Sequence, residues 1–265
     1  MNESLVSVVV PTFDSDEFLK ECLRSIREQI YGNVEIIVVD HYSTDKTKEI
    51  AENSGARVIE SNAKRSEARN IGAGKAKGNF VFFVDSDMEL NSTVIEKCVE
   101  KIRNGCDAVI VPEVSVGEGF WAKCKALEKN CYIGDASIEA ARFFKRDVFE
   151  STGGYDSELE AGEDWDLDQR ICNRGYQIKR INVFIKHNEG KLSLQETMAK
   201  KNYYGKTIKL YRIKYPGWGK QQLKPFRSAF LRNWRRLAKD PIHALGMVFM
   251  KFLEFVSFEI GLEAC

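Results

Sequence analysis

The chain has 265 residues, of which 43% are hydrophobic and 30% are charged, so we expect a packed core and exclude wholesale disorder. The formal net charge of +1 hides an asymmetry, because 13 of the 40 Lys and Arg but none of the 39 Asp and Glu lie in residues 200–239. An acidic body with a basic segment predicts an anionic partner.

The seven cysteines are dispersed and form no Cys-x-x-Cys pair, which predicts a reduced, intracellular protein without a structural zinc site. The first residues, MNESLVSVVVPTFD, lack the basic region of a signal peptide, so we expect none. No uninterrupted apolar run of about 18 residues is present, and we therefore expect no simple transmembrane helix.

The first 110 residues alternate between two patterns. Short β-branched apolar runs predict buried strands, whereas apolar residues at helical spacing that end at a glycine predict helices. The predicted strands are residues 5–10, 34–40, 56–60, 79–85 and 107–112, and the helices between them are residues 16–29, 43–55, 65–78 and 92–105. This alternation predicts a parallel sheet flanked by helices.

Residues 113–190 are less regular. They contain a predicted strand at 138–146, a helix at 163–175 and extended chain at 177–187, and we expect residues 118–121 to form a mobile loop with two exposed aromatic side chains. From about Leu192 the pattern becomes helical and basic. We therefore divide the chain into residues 1–190, with halves at 1–112 and 113–190, and a helical extension at 191–265.

Acidic residues lie at the carboxyl ends of three of the five predicted strands. These strand ends carry Pro11, Thr12, Phe13 and Asp14, then Asp40, and then Asp85 with Asp87. Ligands bind outside the carboxyl ends of strands in an open parallel sheet. Converging carboxylates repel one another unless a cation or hydrogen-bond donors compensate, and hard oxygen ligands suit Mg²⁺ or Mn²⁺. The alternative is that these residues only form turns.

In the sequence Asp85-Ser86-Asp87, continued strand geometry would place both carboxylates on one side and Ser86 on the other. One acid could then bind an ion while the other holds a sugar hydroxyl. No Gly-x-Gly-x-x-Gly follows the first strand and no P-loop sequence occurs, which excludes the standard dinucleotide-binding and P-loop classes.

Five stretches resemble the family-2 glycosyltransferases with the GT-A fold, in order and in spacing. They are SVVVPTFD, EIIVVDHYSTDKT, ARNIGAGKAKGNFVFFVDSD, FFKRDVFESTGGYD and GEDWDLDQRICNRGY. The resemblance covers roughly residues 4–190. It implies an α/β, Rossmann-like GT-A catalytic domain at 1–190, with a nucleotide-binding half at 1–112 and an acceptor half at 113–190.

The resemblance also implies the site residues. The nucleotide-sugar set is Pro11, Thr12, Phe13, Asp14, Asp40, Arg69, Asp85 and Ser86. The metal set is Asp87, Asp85 and His187, and Asp164 is the catalytic base. Apart from the resemblance, Glu163, Trp165 and Trp121 are candidates for acceptor contact. The family usually reads VVDDGSTD where this chain has VVDHYSTD, and usually has Asn or Glu in place of Asp14. These departures lie in the predicted nucleoside pocket, so we do not assign the nucleobase of the donor.

The resemblance implies a UDP- or GDP-sugar donor, a divalent Mn²⁺ or Mg²⁺, and inversion at the anomeric carbon by one displacement with one base. Asp164 heads a helix, where the dipole favours its charge. If the acceptor is a hydroxyl, possibly on a lipid-linked glycan, a base is needed; if it is polyprenyl phosphate, none is. A nucleotidyltransferase, or a non-enzymatic sugar-nucleotide-binding or membrane-scaffold protein, remains an alternative.

The C-terminal residues combine basic and apolar patterns. Residues 226–239 place aromatic and aliphatic residues at helical spacing opposite Arg and Lys, and residues 242–262 are apolar nearly all round. Three environments could cover such a helix: the body of the protein, another subunit or a membrane interface. We expect peripheral attachment to anionic lipid at the cytoplasmic face of a membrane and no nucleic-acid binding, and the oligomeric state is open.

Overall fold

The computed structural model describes residues 4–222 and 227–263. The strands are β1 (Val6–Thr12), β2 (Val34–Asp40), β3 (Arg57–Glu60), β4 (Phe80–Phe83), β5 (Met88–Leu90), β6 (Ala108–Ile110), β7 (Glu113–Glu118), β8 (Ala141–Lys145), β9 (Ile178–Arg180) and β10 (Ile185–Lys191). The helices of the first 180 residues are α1 (Asp16–Arg27), α2 (Thr47–Asn53), α3 (Arg65–Gly74), α4 (Val94–Arg103), α5 (Gly119–Cys131), α6 (Arg146–Thr152) and α7 (Glu163–Asn173). The later helices are α8 (Leu194–Thr207), α9 (Lys209–Lys214), α10 (Pro216–Gln222), α11 (Ser228–Arg232), α12 (Trp234–Lys239) and α13 (Pro241–Glu263).

The main sheet has seven strands in the order β3-β2-β1-β4-β8-β6-β9. The pairs β1–β2, β2–β3, β1–β4 and β6–β9 are parallel, whereas β8 runs antiparallel to β4 and β6. The predicted parallel sheet flanked by helices is therefore confirmed. A second sheet has the order β5-β10-β7.

Both faces of the main sheet are covered, which explains why β1 is apolar at successive positions. Val8 and Val10 pack in one cluster with side chains of α1 and α4, whereas Val9 packs in another with side chains of α3 and α7. Successive strand residues point to opposite faces. The result is a layered helix–sheet–helix arrangement in which the loops after β1, β2 and β4 lie at the carboxyl edge of parallel strands.

Several element ends differ from the predictions. Strand β4 ends at Phe83, so the sequence 85–87 forms a turn in which the Met88 N–H donates to the Asp85 carbonyl (3.0 Å). Because the strand does not continue through residues 85–87, the alternation of strand side chains does not determine on which side the carboxylates of Asp85 and Asp87 lie. Helix α2 begins only at Thr47, because the side chain of Asp45 accepts from the Thr47 N–H (2.8 Å) in a preceding turn. Residues 119–121 begin helix α5 and are not a loop.

Contacts group the chain into two units built from segments that are distant in sequence. The first comprises the residues up to Pro112, Ala140–Ser157 and Glu163–Lys186, and the second comprises Glu113–Glu139, Glu158–Gly162 and the residues from His187 onward. The predicted division instead followed the chain linearly, because sequence patterns do not show that residues 113–139 pack with the C-terminal helices.

In the second unit, α13 packs against α5 and α8. Two glycines permit the close approach to α8: a Cβ on Gly205 would lie 2.2 Å from the Phe258 carbonyl oxygen, and one on Gly261 would lie 2.0 Å from that of Asn202. The helix predicted at 226–239 is divided at Asn233 into α11 and α12, and Phe226 lies outside the described residues. Among the described helices, none is both long enough and apolar enough to cross a membrane.

Candidate active site

One buried arginine connects the acids that sequence analysis singled out. Arg69 lies on α3, and its Nη2 donates to Asp85 Oδ1 (2.8 Å) in the turn after β4. Its Nη1 donates to Asp164 Oδ1 (3.1 Å) at the start of α7 and lies 3.6 Å from Glu163 Oε1. Arg69 thus connects the turn after β4 to the start of α7, which lies 95 positions after Arg69 in the sequence.

Burial and neighbouring charges shift the pKa values of Asp85 and Arg69 in opposite directions. Burial would raise the pKa of Asp85, but the guanidinium groups of Arg69 and Arg142 outweigh it and hold that pKa well below its usual range. Burial would likewise lower the pKa of Arg69, but Asp85 and Asp164 keep it well above the ordinary arginine value. The pair is therefore ionised at neutral pH, with a fixed charge on each partner.

Glu163 is almost completely buried and forms an ion pair with Arg65, one turn before Arg69 on α3. Burial and the adjacent Asp164 raise the pKa of Glu163, while the two arginines oppose that change. Asp164 differs from its neighbour because 39% of its side chain is exposed. Of these two acids, Asp164 is the one that a bound molecule can reach, whereas Glu163 anchors α7 to α3.

The sequence did not point to Arg142 or Tyr155, which also contact this site. Arg142 on β8 lies with its Nη1 4.0 Å from Asp85 Oδ2, and the Arg69 guanidinium lies over the Tyr155 ring at 5.1 Å from its centroid. Arg142 interrupts the apolar strand sequence ARFF, which was a detectable signal. Asn70 fixes the turn that carries Tyr155, because its side chain donates to the Tyr155 carbonyl (2.8 Å) and accepts from the Tyr155 N–H (2.9 Å).

A further carboxyl, partly buried, lies one turn after Asp164 on α7. Asp168 accepts from the backbone N–H of Ala141, with distances of 3.1 and 3.3 Å to its two oxygens. Burial, together with the charge of Asp164, raises the pKa of Asp168 to about 8 although the Ala141 hydrogen bond lowers it. This group links α7 to the start of β8 and was not identified from the sequence.

The ends of β1 and β2 meet as predicted. Thr12 and Asp40 are register partners, and the Thr12 hydroxyl donates to Asp40 Oδ1 (2.9 Å). The completely buried Asp40 carboxylate also accepts from the Ser43 N–H (2.9 Å) and hydroxyl (2.6 Å). In the structure Asp40 therefore organises the loop after β2, and its contact with a nucleobase stays a prediction.

The loop after β1 is tied to the loop after β2. Asp14 Oδ1 accepts from the Thr44 N–H (2.8 Å), and the exposed Phe13 ring meets His41 edge-on at 5.3 Å between centroids. Asp14 and Tyr42 adopt positive φ angles of 42° and 50°, a strained conformation for residues other than glycine. Tyr42 stands where the family usually has glycine, so this chain retains the glycine-type backbone conformation without the glycine.

The remaining predicted nucleotide-side residues lie close to the same loops. Pro11 belongs to β1, and the Ser86 hydroxyl donates to the Ser15 hydroxyl (3.0 Å). Thus the turn after β4 is hydrogen-bonded to the loop after β1. These contacts place Ser86 at the predicted edge of the sheet.

Asp85 and Asp87 supply the carboxylate oxygens expected for a divalent ion. Both are partly exposed on one short turn, and this donor chemistry fits Mg²⁺ or Mn²⁺. In residues 4–222 and 227–263, no group of three or more His, Cys, Asp and Glu side chains is arranged to hold a metal ion. His187 belongs to the second unit, where its Nδ1 lies 2.7 Å from Glu113 Oε2, and its role as a ligand stays a prediction.

The two tryptophans proposed for acceptor contact occupy different units. Trp165 is partly buried on α7 of the first unit. Trp121 is partly buried on α5 of the second unit, where its ring lies 4.8 Å from that of Phe120 and 6.2 Å from that of Phe249. Trp121 thus packs among aromatic side chains, and acceptor contact by either residue stays a prediction.

Comparison with known proteins agrees with this architecture. The chain is 34% identical over 213 residues to the glycosyltransferase GlyG of Streptococcus pneumoniae, covering 69% of each chain. It is 28% identical over 219 residues to the GalNAc(5)-diNAcBac-PP-undecaprenol β-1,3-glucosyltransferase of Campylobacter jejuni, covering 78% of this chain and 64% of that protein. These sequence similarities extend over most of the chain and assign no role to any individual site residue.

Among solved structures, the mannosyltransferase PcManGT of Pyrobaculum calidifontis, in complex with GDP-Man and Mn²⁺, matches with a TM-score of 0.64 and 18% identity. The match covers 99% of this chain and 75% of that one, and it confirms the predicted GT-A fold. The family model for glycosyl transferase family 2 matches residues 7–153. Sequence relatives, family match and fold agree, and the chain belongs to glycosyl transferase family 2.

Proposed function

We propose that this family-2 glycosyltransferase moves a sugar from a UDP- or GDP-sugar to a hydroxyl group of a glycan acceptor, with inversion at the anomeric carbon. The observation that carries the proposal is the buried Arg69, which joins Asp85 on the predicted nucleotide side to Asp164 on the predicted acceptor side. The same arginine therefore contacts both the candidate site of the leaving group and the candidate base.

In this reaction Asp164 acts as general base. Its partly exposed carboxylate accepts the proton of the acceptor hydroxyl while that oxygen attacks the anomeric carbon. The bond from the anomeric carbon to the diphosphate oxygen breaks on the opposite face, its electron pair leaves with the nucleoside diphosphate, and the configuration inverts. Arg69 orients Asp164 through the 3.1 Å hydrogen bond.

Asp87 and Asp85 would hold a divalent ion on the turn after β4. When bound, Mn²⁺ or Mg²⁺ supplies positive charge that compensates the charge developing on the diphosphate leaving group. The Mn²⁺ named with PcManGT supports this part of the proposal by analogy of fold. Because Asp85 is already hydrogen-bonded to Arg69, we assign the main metal contact to Asp87 and an orienting role to Asp85.

The donor pocket of the proposal comprises the loops after β1 and β2. The exposed Phe13 ring, packed edge-on against His41, offers an apolar surface for a base, and Asp40 fixes the loop that surrounds it. GDP-Man is named with PcManGT, which supports a nucleotide-sugar donor without choosing the base for this chain. Pro11, Thr12, Asp14 and Ser86 shape the pocket from β1 and from the turn after β4.

For the acceptor, we propose a hydroxyl on a lipid-linked glycan. The Campylobacter relative is named for such an acceptor, and Asp164 provides the base that a hydroxyl needs. Transfer to polyprenyl phosphate is the second candidate, and it would not need the base because that nucleophile is already anionic. Replacing Asp164 with Asn therefore separates the two: it should abolish transfer to a hydroxyl and spare transfer to a phosphate.

A donor screen tests the proposal. The protein is heated with individual UDP- and GDP-sugars in the presence and absence of Mn²⁺, and release of nucleoside diphosphate is then measured with the donor that stabilises it. We expect one donor class to raise the melting temperature only with the metal, and that donor to be turned over. Stabilisation without turnover would support a binding protein instead, and no stabilisation by any sugar nucleotide would contradict the proposed donor class.

A further inference from the structure

Helix α13 presents a wide apolar face to the outside of the second unit. Its members are all large apolar side chains that are at least 39% exposed. They are Ile242, Leu245, Val248, Phe249, Phe252, Phe255, Val256 and Ile260. At 3.6 residues per turn these positions fall within an arc of about 140°. We call this set the outer face of α13, and exposed apolar patches of this kind mark interaction sites.

Two charged residues of the same helix, Lys251 and Glu254, point the other way, whereas Glu259 is partly exposed and Glu263 is exposed. Glu254 is 2% exposed and accepts from Lys125 Nζ of α5 (2.7 Å), and Lys251 Nζ donates to Glu128 Oε1 of α5 (2.8 Å). Lys201 of α8 lies 3.9 Å from Glu254. Lys251 and Glu254 therefore pack inward in an ionic network, while the large apolar residues of α13 face outward. This orientation is unfavourable in water and favourable against an apolar partner.

Basic and aromatic residues flank the outer face. Helix α12 packs against α13 and carries exposed Arg235, Arg236 and Lys239. Trp234 is 60% exposed, and the Arg235 guanidinium lies over its ring at 5.7 Å from the centroid. An exposed Trp beside exposed cations, next to an apolar helix face, is the composition of segments that lie in the interface of an anionic membrane.

We propose that the outer face of α13 docks onto the surface of a membrane that contains anionic lipid, with the basic residues of α12 contacting the headgroups. The helix lies in the interface and does not span it. The charges favour lipid over a second copy of the chain, because a two-fold interface would bring the same patch against itself and place its cations near their copies. Binding to lipid places the protein at the expected membrane surface and is independent of the proposed transfer reaction.

Vesicle cosedimentation tests this docking. The full chain is mixed with vesicles of phosphatidylcholine alone and of phosphatidylcholine with phosphatidylglycerol. We expect strong binding only to the anionic vesicles, and a loss of affinity of about tenfold or more in L245S/F252S because two large apolar side chains are removed. In R235Q/K239Q we expect a loss of roughly fivefold per charge on the anionic vesicles only.

Matched controls separate docking from folding and from bulk charge. I30S changes an equally exposed apolar residue of the first unit, and K75Q/K77Q removes the same number of exposed charges there. Both should bind like the wild type. Circular dichroism and urea midpoints report whether each variant is folded, and if L245S/F252S is not, the two lipid compositions and R235Q/K239Q decide alone.

Two results would overturn the proposal. The first is a wild-type protein that stays in the supernatant with anionic vesicles. The second is a wild-type dimer in sedimentation equilibrium that L245S/F252S dissociates while vesicle binding is absent or unchanged, because the outer face would then be covered by a second copy.

Discussion

Replacing Arg69 with Met tests the ion-pair network at the centre of the site. The substitution keeps a side chain of similar length but removes the cation shared by Asp85, Glu163 and Asp164. Breaking a buried ion pair from one side costs about 3–5 kcal/mol, because the partner is left charged and uncompensated. The structure indicates which of the three partners determines that cost.

Asp164 contributes little, since its side chain is 39% exposed and water can replace the lost contact. Glu163 retains its ion pair with Arg65. Asp85 is the group that loses most, although Arg142 stays 4.0 Å away. We therefore expect R69M to lower the free energy of unfolding by about 3 kcal/mol, at the low end of the range for a broken buried pair.

Urea unfolding followed by circular dichroism measures this change, with R24M as the control because the ion pairs of Arg24 with Glu21 and Glu28 are exposed. The control should change stability by about 0.5 kcal/mol or less. In the wild type, the lowered pKa of Asp85 stabilises the fold above the ordinary value of 3.8, and this contribution is lost as the pH falls. Without Arg69, burial raises that pKa, so the difference between R69M and wild type should shrink toward pH 4.

An R69M variant as stable as R24M at neutral pH would refute this reasoning. So would a difference between R69M and wild type that stays constant toward acidic pH, because the loss would then come from packing against Tyr155 and not from the charge of Asp85. The double variant R69M/D85N provides a further check, since removing both charges should restore part of the lost stability.

Three further outcomes are expected. D87N should weaken Mn²⁺ binding roughly tenfold or more, measured by calorimetry, and should leave the urea midpoint unchanged; retained Mn²⁺ affinity would contradict the assignment of Asp87. Y42G should raise the free energy of unfolding by about 1 kcal/mol, because glycine adopts the observed φ of 50° without strain, and an unchanged or lower value would contradict that account. Because the pKa of Asp168 is raised from 3.8 to about 8, its stabilising contribution is full below 3.8 and is lost as the pH rises through 8. D168N should therefore lose less stability than wild type between pH 6 and 8, by up to about 1.4 kcal/mol per pH unit, and identical pH profiles would count against the raised pKa.

The architecture of the site was largely predictable because it follows from topology. Apolar β-branched runs alternate with amphipathic helices, and such a chain must place the residues after β1, β2 and β4 at one edge of a parallel sheet. The pairing of Thr12 with Asp40 in adjacent strands follows from that register. Local turn geometry did not follow, since the predicted strand continued through Asp85 whereas β4 ends at Phe83.

The partners of the acids depend on how helices pack, which sequence periodicity does not specify. Arg69 is present as the predicted basic residue, but its hydrogen bonds to Asp85 and Asp164 require the start of α7 to lie against α3. Helix α13 shows the same limitation. Its position was predictable, but Lys251 and Glu254 face inward because α5 supplies Glu128 and Lys125 as their partners.

The most direct test of the account is donor turnover by D164N, compared with wild type and with D166N, using the sugar nucleotide that the donor screen identifies. Asp166 is the neighbouring buried acid of α7 that pairs with Arg170. We expect turnover to fall about 100-fold or more in D164N, with donor affinity within a few-fold of wild type. Turnover by D164N within about tenfold of wild type would contradict Asp164 as the base and with it the proposed transfer to a hydroxyl.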